Sequence, residues 1–81
     1  MIFQVFAVKD ELTGKFLQPS FFNDEKEALR TFKYQVNNIA IWRDNSSDFS
    51  FYKLGTYDDE TGTIIGKIDK ISNGRSVLNE A

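Results

Sequence analysis

The chain has 81 residues, and its content of 41% hydrophobic, 27% charged and 15% aromatic residues is typical of one small globular domain. It contains neither cysteine nor histidine, which excludes disulfides, the common nitrogen and sulfur metal ligands and the Ser-His and Cys-His catalytic pairs. The formal net charge of −2 gives no overall attraction to nucleic acid, so only a local basic patch could supply one. We therefore predict a single domain over residues 1–81 that is not an enzyme and has no catalytic residue, cofactor or metal.

The first part of the chain predicts a β-hairpin. Residues 2–9 (IFQVFAVK) place apolar side chains on both faces, as expected for a central strand that is covered on both sides. The polar segment 10–14 (DELTG) predicts a five-residue loop, and residues 15–18 (KFLQ) resume the extended pattern. Pro19 cannot donate a hydrogen bond to a sheet, so it either ends the second strand or places that strand at an edge.

A helix is predicted from about residue 25 to residue 37. Asn23 and Asp24 are suitable N-cap residues, and Glu27 follows Asp24 at the spacing of a capping box. The apolar side chains of this segment share an arc of about 100° that would face the sheet. They are Ala28, Leu29, Phe32 and Val36. A separate face of the helix carries a basic stripe, which consists of Lys26, Arg30 and Lys33.

The second half of the chain predicts two further strands. Residues 39–45 are compatible with a short strand or a packed turn, whereas residues 48–57 (DFSFYKLGTY) form the strongest strand pattern. Its alternation predicts one face with Phe49, Phe51, Lys53 and Tyr57 and an opposite face with Tyr52 and Leu54. A turn at 58–62 (DDETG) leads into a strand at 63–68. Residues 69–81 hold few apolar side chains, so we predict a loosely held tail there.

These elements predict an α+β fold in the order ββα followed by ββ. An antiparallel sheet of four to five strands would carry one amphipathic helix on a face. The alternative is an OB-like barrel, because only two strands precede the helix. The sequence has no apolar run of the about 18 residues that a membrane span needs, and it begins without the features of a signal peptide. We therefore expect a soluble protein that is not exported and does not bind membranes.

Four segments carry a resemblance to a known protein family. They are residues 5–10 (VFAVKD), 18–22 (QPSFF), 27–32 (EALRTF) and 48–62 (DFSFYKLGTYDDETG). The last segment is the most specific, because its aromatic strand, Leu-Gly, aromatic-Asp-Asp and Thr-Gly occur in the family's order. The chain resembles the small nonstructural protein of gokushoviruses, and this protein is also described as a DNA-binding protein. Gokushoviruses are single-stranded DNA phages of the Microviridae. The match covers about residues 3–65, and the tail departs from the family pattern.

The resemblance implies a role in replicating or packaging a single-stranded DNA genome in the cytoplasm of an infected bacterium. It supplies no catalytic residues. Proteins bind single strands with aromatic rings that stack on bases and with Lys and Arg side chains that contact phosphates. The candidates for stacking are Trp42, Phe49, Phe51, Tyr52 and Tyr57. The candidates for phosphate contacts are Lys26, Arg30, Lys33, Arg43 and Lys53.

Each of these groups also has a purely structural explanation. The rings, including the indole of Trp42, could form the hydrophobic core, and an aromatic surplus could instead mark a dimer interface. The basic stripe could be the solvated face of an amphipathic helix. The acidic run 58–60 could offer oxygen ligands to a hard cation, but it lacks the spacing of a calcium loop and is better explained as a hairpin turn.

The sequence thus favours a non-enzymatic phage accessory protein that binds single-stranded DNA during genome replication or packaging. The alternative is a regulatory module that binds proteins instead of DNA, with the phage initiator, a host replication protein or a capsid precursor as its partner. A homodimer fits both hypotheses, because a sheet that is apolar on two faces and carries one helix has a side left to cover.

Overall fold

A computed structural model describes residues 1–79 and shows a five-stranded antiparallel sheet with helices on one face. The strands are β1 (Ile2–Asp10), β2 (Lys15–Phe16), β3 (Ser20–Phe22), β4 (Phe49–Asp58) and β5 (Thr63–Asn73). The helices are α1 (Glu25–Asn38), α2 (Ala40–Asp44) and α3 (Gly74–Val77), and a 3-10 turn spans Ser46–Asp48. Strand β1 is central, with β2 and β3 along one edge and β4 followed by β5 on the other side. The sheet curls into a half-barrel, and the predicted α+β fold is confirmed.

Helix α1 begins and ends close to the predicted residues. The Asp24 carboxylate accepts a hydrogen bond of 2.8 Å from the Glu27 backbone N–H, which satisfies one of the free donors at the helix start. The buried residues of α1 are Ala28, Phe32 and Val36, spaced four apart on the helix face that meets the sheet. The amphipathic pattern therefore determines which face of the helix packs.

The hydrophobic core lies between α1 and the sheet. Phe6 and Phe32 are fully buried on the two sides of this layer, and both rings stack on Phe51, with ring centroids 5.2 Å and 4.7 Å from its own. Val8 and Phe49 complete the sheet side of the cluster. Burial of such aromatic and aliphatic side chains is the main stabilising term in a domain of this size.

A β-bulge in β4 changes the predicted faces of that strand. Val5 pairs with Gly55 while Phe6 pairs with Lys53, so Leu54 is an extra residue without an opposite partner. The alternation of side chains shifts by one residue beyond Leu54. The prediction that Tyr57 shares a face with Phe49 and Phe51 is therefore wrong, because Tyr57 pairs with Phe3 on the other face of the sheet.

The remaining differences concern connections and the C-terminal segment. The first hairpin has a four-residue turn, since Asp10 already pairs with Lys15. Residues 40–44 form the short helix α2, which resolves the alternatives for this segment in favour of a packed turn of helix.

The region predicted to be a loosely held tail contains the end of β5 and helix α3, and Val77 and Leu78 pack against the core. The Asn37 side chain donates a hydrogen bond of 3.0 Å to the Val77 carbonyl. Residues 80 and 81, which also belong to that predicted tail, lie outside the described residues. None of the helices within residues 1–79 has the length and apolar content that crossing a lipid bilayer requires.

Candidate nucleic-acid interface

Within residues 1–79, one face of the sheet carries no helix, and we call it the open face. Side chains of directly paired residues in an antiparallel sheet point to the same side, so the register identifies its members. They are Phe3, Val5, Ala7 and Lys9 of β1, Phe16 of β2, Phe21 of β3, Ser50, Tyr52, Gly55 and Tyr57 of β4, and Ile64, Gly66, Ile68, Lys70 and Asn73 of β5. The cover that the sequence predicts for both faces of β1 is present on one face only among the described residues: α1, Trp42, Val77 and Leu78 all pack on the opposite side.

Five aromatic rings lie on the open face, and we call them the aromatic cluster. They are Phe3, Phe16, Phe21, Tyr52 and Tyr57. Tyr57 contacts two of the others, with ring centroids 6.4 Å from Phe3 and 5.4 Å from Phe21. Phe16 packs edge-on against Tyr52 at 5.2 Å. The cluster therefore consists of two groups, one around Tyr57 and one around Tyr52.

The rings of the aromatic cluster are accessible to solvent. Phe16 is 40% exposed and Phe21 is 50% exposed, while Phe3, Tyr52 and Tyr57 are half-buried. Val5 and Ala7 lie between the two groups and are buried although no helix covers them, because the flanking rings shield these small side chains. The open face is thus an apolar surface from which the aromatic side chains project.

Two lysines accompany the rings around Tyr52. The Lys9 ammonium lies 5.6 Å from the ring centroid of Phe16 and 5.7 Å from that of Tyr52, which is within the range of cation–π attraction. The register places Lys70 beside Tyr52 on β5. The Glu11 carboxylate lies 3.4 Å from the Lys9 ammonium and 3.9 Å from that of Lys70. These two cations place positive charge beside the rings of Phe16 and Tyr52, and the Glu11 carboxylate offsets part of this charge.

The structure divides the predicted stacking residues between the core and the surface. Tyr52 and Tyr57 belong to the aromatic cluster, whereas Phe49 and Phe51 are 7% and 4% exposed and form part of the core. Trp42 is half-buried and stacks on Phe49 with ring centroids 5.1 Å apart. Of the five predicted stacking residues, Tyr52 and Tyr57 are therefore the two whose rings lie on the open face.

The predicted phosphate-binding residues lie away from the open face. Lys26, Arg30 and Lys33 are exposed on α1, which packs on the opposite side of the sheet. Arg43 lies on α2, and its side chain is 3.5 Å from the Asp44 carboxylate. Lys53 pairs with Phe6 and therefore points to the helix side. The structure does not bring these five cations together with the exposed rings.

Sequence reasoning missed Phe3, Phe16, Phe21, Lys9 and Lys70. Phe3 and Lys9 share the alternation of β1 with Val5 and Ala7, so the pattern of residues 2–9 already contained them. Phe16 and Phe21 come together only because β2 and β3 pair with the same edge of β1, which a linear pattern does not reveal.

The acidic run 58–60 forms a turn held by local contacts. The Asp58 carboxylate accepts a hydrogen bond of 2.9 Å from the Glu60 N–H, and Asp59 accepts one of 2.7 Å from the Met1 amine. This hydrogen bond to Asp59 raises the pKa of the Met1 amine above its usual value of 8.0, and partial desolvation opposes the change. Within residues 1–79, no three acidic side chains converge in a way that could hold a metal ion.

Comparison with known proteins identifies a family that the chain matches. The sequence model of the family described as Phage ORF5 protein matches residues 3–77. The comparisons with curated proteins and with solved structures find no match. The matched segment contains β1 from its second residue, the other four strands, the three described helices and the whole aromatic cluster. The chain therefore belongs to the Phage ORF5 protein family.

Proposed function

We propose that this phage protein is a non-enzymatic accessory protein that binds single-stranded DNA on the open face of its sheet. It would act during genome replication or packaging in the cytoplasm of the infected bacterium, as the resemblance to the small nonstructural protein of the Microviridae suggests. The observation that carries the proposal is the aromatic cluster on the one sheet face that no described helix covers. The hydrophobic core does not require the aromatic cluster, since other aromatic rings already fill the core on the helix side of the sheet.

The aromatic cluster has the chemistry of a stacking platform. Every base has a flat π-face, so exposed rings bind single strands with little regard to sequence, with about 1 to 3 kcal/mol per stacked base. In a duplex the base faces are occupied by neighbouring bases, so the same rings favour the single strand. The groups around Tyr57 and Tyr52 are separated by four residues of β1, or about 13 Å. The two groups therefore provide two stacking sites for one bound DNA strand.

The charges on and around the open face differ between its two ends. Lys9 and Lys70 lie beside Tyr52, where they can contact phosphates, whereas the acidic turn 58–60 follows Tyr57 at the other end of β4. A phosphate backbone is attracted to the first end and repelled by the second. We therefore place the strongest phosphate contacts beside Tyr52.

The test is a titration of labelled single-stranded oligonucleotide, followed by fluorescence anisotropy, with the matching duplex in parallel. We expect preferential binding of the single strand. Tyr52→Ala and Phe21→Ala should each weaken it about tenfold through loss of one stacked base. The matched control is Tyr34→Ala, because Tyr34 is 67% exposed but lies on α1. The control should bind like the unmodified protein.

Two results would overturn the proposal. One is the absence of single-strand binding at micromolar protein, and the other is binding that Tyr52→Ala and Phe21→Ala leave unchanged. In the first case the regulatory protein-binding module becomes the better hypothesis. A groove of about 270 Å³ lined by Leu12, Ile41 and Phe49 favours it, since Leu12 is 80% exposed and Ile41 64% exposed.

A further inference from the structure

Strand β5 is a long, uncovered edge of the sheet. It spans Thr63–Asn73 and pairs with β4 only, so the N–H and C=O groups on its other side have no strand partner among the described residues. Ile64, Ile65 and Ile68 of this strand are 69%, 63% and 64% exposed. A long apolar edge of this kind is a template for pairing with another chain.

The charges of β5 are complementary to those of a second, antiparallel copy of itself. Its midpoint is Ile68, with Lys67 on one side and Asp69 on the other. When two copies pair with Ile68 opposite Ile68, Lys67 of each copy lies opposite Asp69 of the other. Moving the centre by one residue places Lys67 opposite Lys67 or Asp69 opposite Asp69. Opposite charges in directly paired positions stabilise a sheet, and like charges destabilise it.

The side chains of these pairs also point to matching faces. Ile65, Lys67 and Asp69 line one groove on the helix side of the sheet together with Lys53, whereas Ile68 belongs to the open face. In the register centred on Ile68, Ile65 of one copy meets Ile71 of the other, which packs on the helix side. Every pair from residue 65 to residue 71 therefore joins side chains of the same face.

We propose that a second copy of this chain docks on the β5 edge in the register centred on Ile68. The resulting two-fold axis passes through Ile68 perpendicular to the sheet, so both open faces lie on the same side. The two aromatic clusters then belong to one continuous surface that spans both sheets. The pairing itself does not depend on the proposed DNA binding, and it can be tested without DNA.

The first experiment measures the dimer by sedimentation equilibrium from low micromolar to near-millimolar concentration. We expect a species of twice the 9.3 kDa chain mass. Lys67→Glu and Asp69→Lys should each weaken the dimer about tenfold or more, because both symmetric pairs become repulsive. A mixture of the two variants restores opposite charges in both pairs, so we expect it to associate as strongly as the unmodified protein. Circular dichroism verifies that each variant is folded.

A second experiment does not depend on those charge variants. The chain has no cysteine, so I68C introduces a single thiol that faces its own counterpart across the axis, at a distance that a disulfide can span. We expect a covalent dimer on mild oxidation. The matched control is I64C, which is equally exposed, but the two copies of residue 64 lie about 27 Å apart in this register. The control should remain uncrosslinked.

A monomer at all concentrations would overturn the proposed pairing, and so would a dimer that neither charge variant weakens or that I64C crosslinks as well as I68C. Lys67 and Asp69 lie on the helix side, so the stacking surface of each copy is intact in both charge variants. Loss of DNA binding with an intact dimer, or the reverse, therefore separates failure of one proposal from failure of the other.

Discussion

At the scale of single residues, Gly55 occupies a position that has no room for a side chain. Its φ of +150° is rarely adopted by residues with a side chain, and a Cβ atom there would collide with the carbonyl oxygen of Ile65 on the neighbouring strand. Gly55 also follows the bulge at Leu54, so it lies where β4 changes its alternation. The absence of a side chain lets β4 and β5 approach closely at the centre of the open face.

We expect Gly55→Ala to destabilise the protein by about 2 to 4 kcal/mol, because it combines backbone strain with a steric clash. The matched control is Gly66→Ala at the paired position on β5, where an added Cβ would have only an ordinary contact at 4.0 Å with the Leu54 carbonyl oxygen. The control should change stability by no more than about 0.5 kcal/mol. Urea unfolding of both variants measures the difference, and equal losses would contradict the assignment.

At the same scale, the site could be predicted from sequence only in part. Tyr52 belongs to both the predicted and the observed sets of surface rings, because residues 49–53 keep the regular alternation of a strand. Tyr57 was predicted as a stacking residue, but on the wrong face, since a single unpaired residue at Leu54 reverses every later side chain. Period-two reasoning has no means of locating such an insertion.

At the scale of elements, helix α1 was predictable to within one residue at its end. Its start rests on a local contact between Asp24 and Glu27, and local contacts can be inferred from a linear sequence. Strand β5 was predicted to end at residue 68 but continues to Asn73, since its last residues are stabilised by distant contacts such as the hydrogen bond from the Asn73 side chain to Ser50. A local sequence pattern does not reveal such contacts between residues that are distant in the chain.

We expect Asp24→Ala to lower stability by about 1 kcal/mol, because the Glu27 N–H loses its acceptor and a negative charge leaves the helix start. Asp24→Ser is the control, since a serine hydroxyl can accept the same hydrogen bond, and it should retain most of the stability. Thermal unfolding followed at 222 nm compares the two. A serine variant as unstable as the alanine variant would show that charge, not capping, stabilises the helix start.

At the scale of the whole molecule, the chain is long and thin, with extents of 45 × 24 × 16 Å. This thickness accommodates two layers, the sheet and its helices, so one sheet face has to remain without a covering layer. The aromatic surplus that the composition shows is explained by this shape, because eight Phe, three Tyr and one Trp side chains exceed what one helix-facing side can bury. Five of the remaining rings form the aromatic cluster on the uncovered side, and Tyr34 is exposed on α1.

The whole-molecule charge arrangement predicts the salt dependence of DNA binding. Replacing Lys9 and Lys70 by Ala should remove two phosphate contacts and lower the slope of log affinity against log salt by about 1.4. Replacing Lys26 and Arg30 by Ala changes the net charge equally but on α1, so the slope should be unchanged. Anisotropy titrations over a series of salt concentrations measure both slopes. A flatter slope for the α1 pair alone would move the phosphate contacts to the basic stripe.

The extra residue at Leu54 also bears on how this family can change over time. Losing Leu54 would leave Lys53 opposite Phe6 and Gly55 opposite Val5 with no extra residue between them, so Tyr57 would remain on the open face. Replacing Leu54 by another residue would leave the bulge in place. Neither the loss nor the replacement of the residue at position 54 therefore moves either tyrosine to the other face of the sheet. A single codon deleted there would reduce the local twist of β4 and leave the same side chains on the open face.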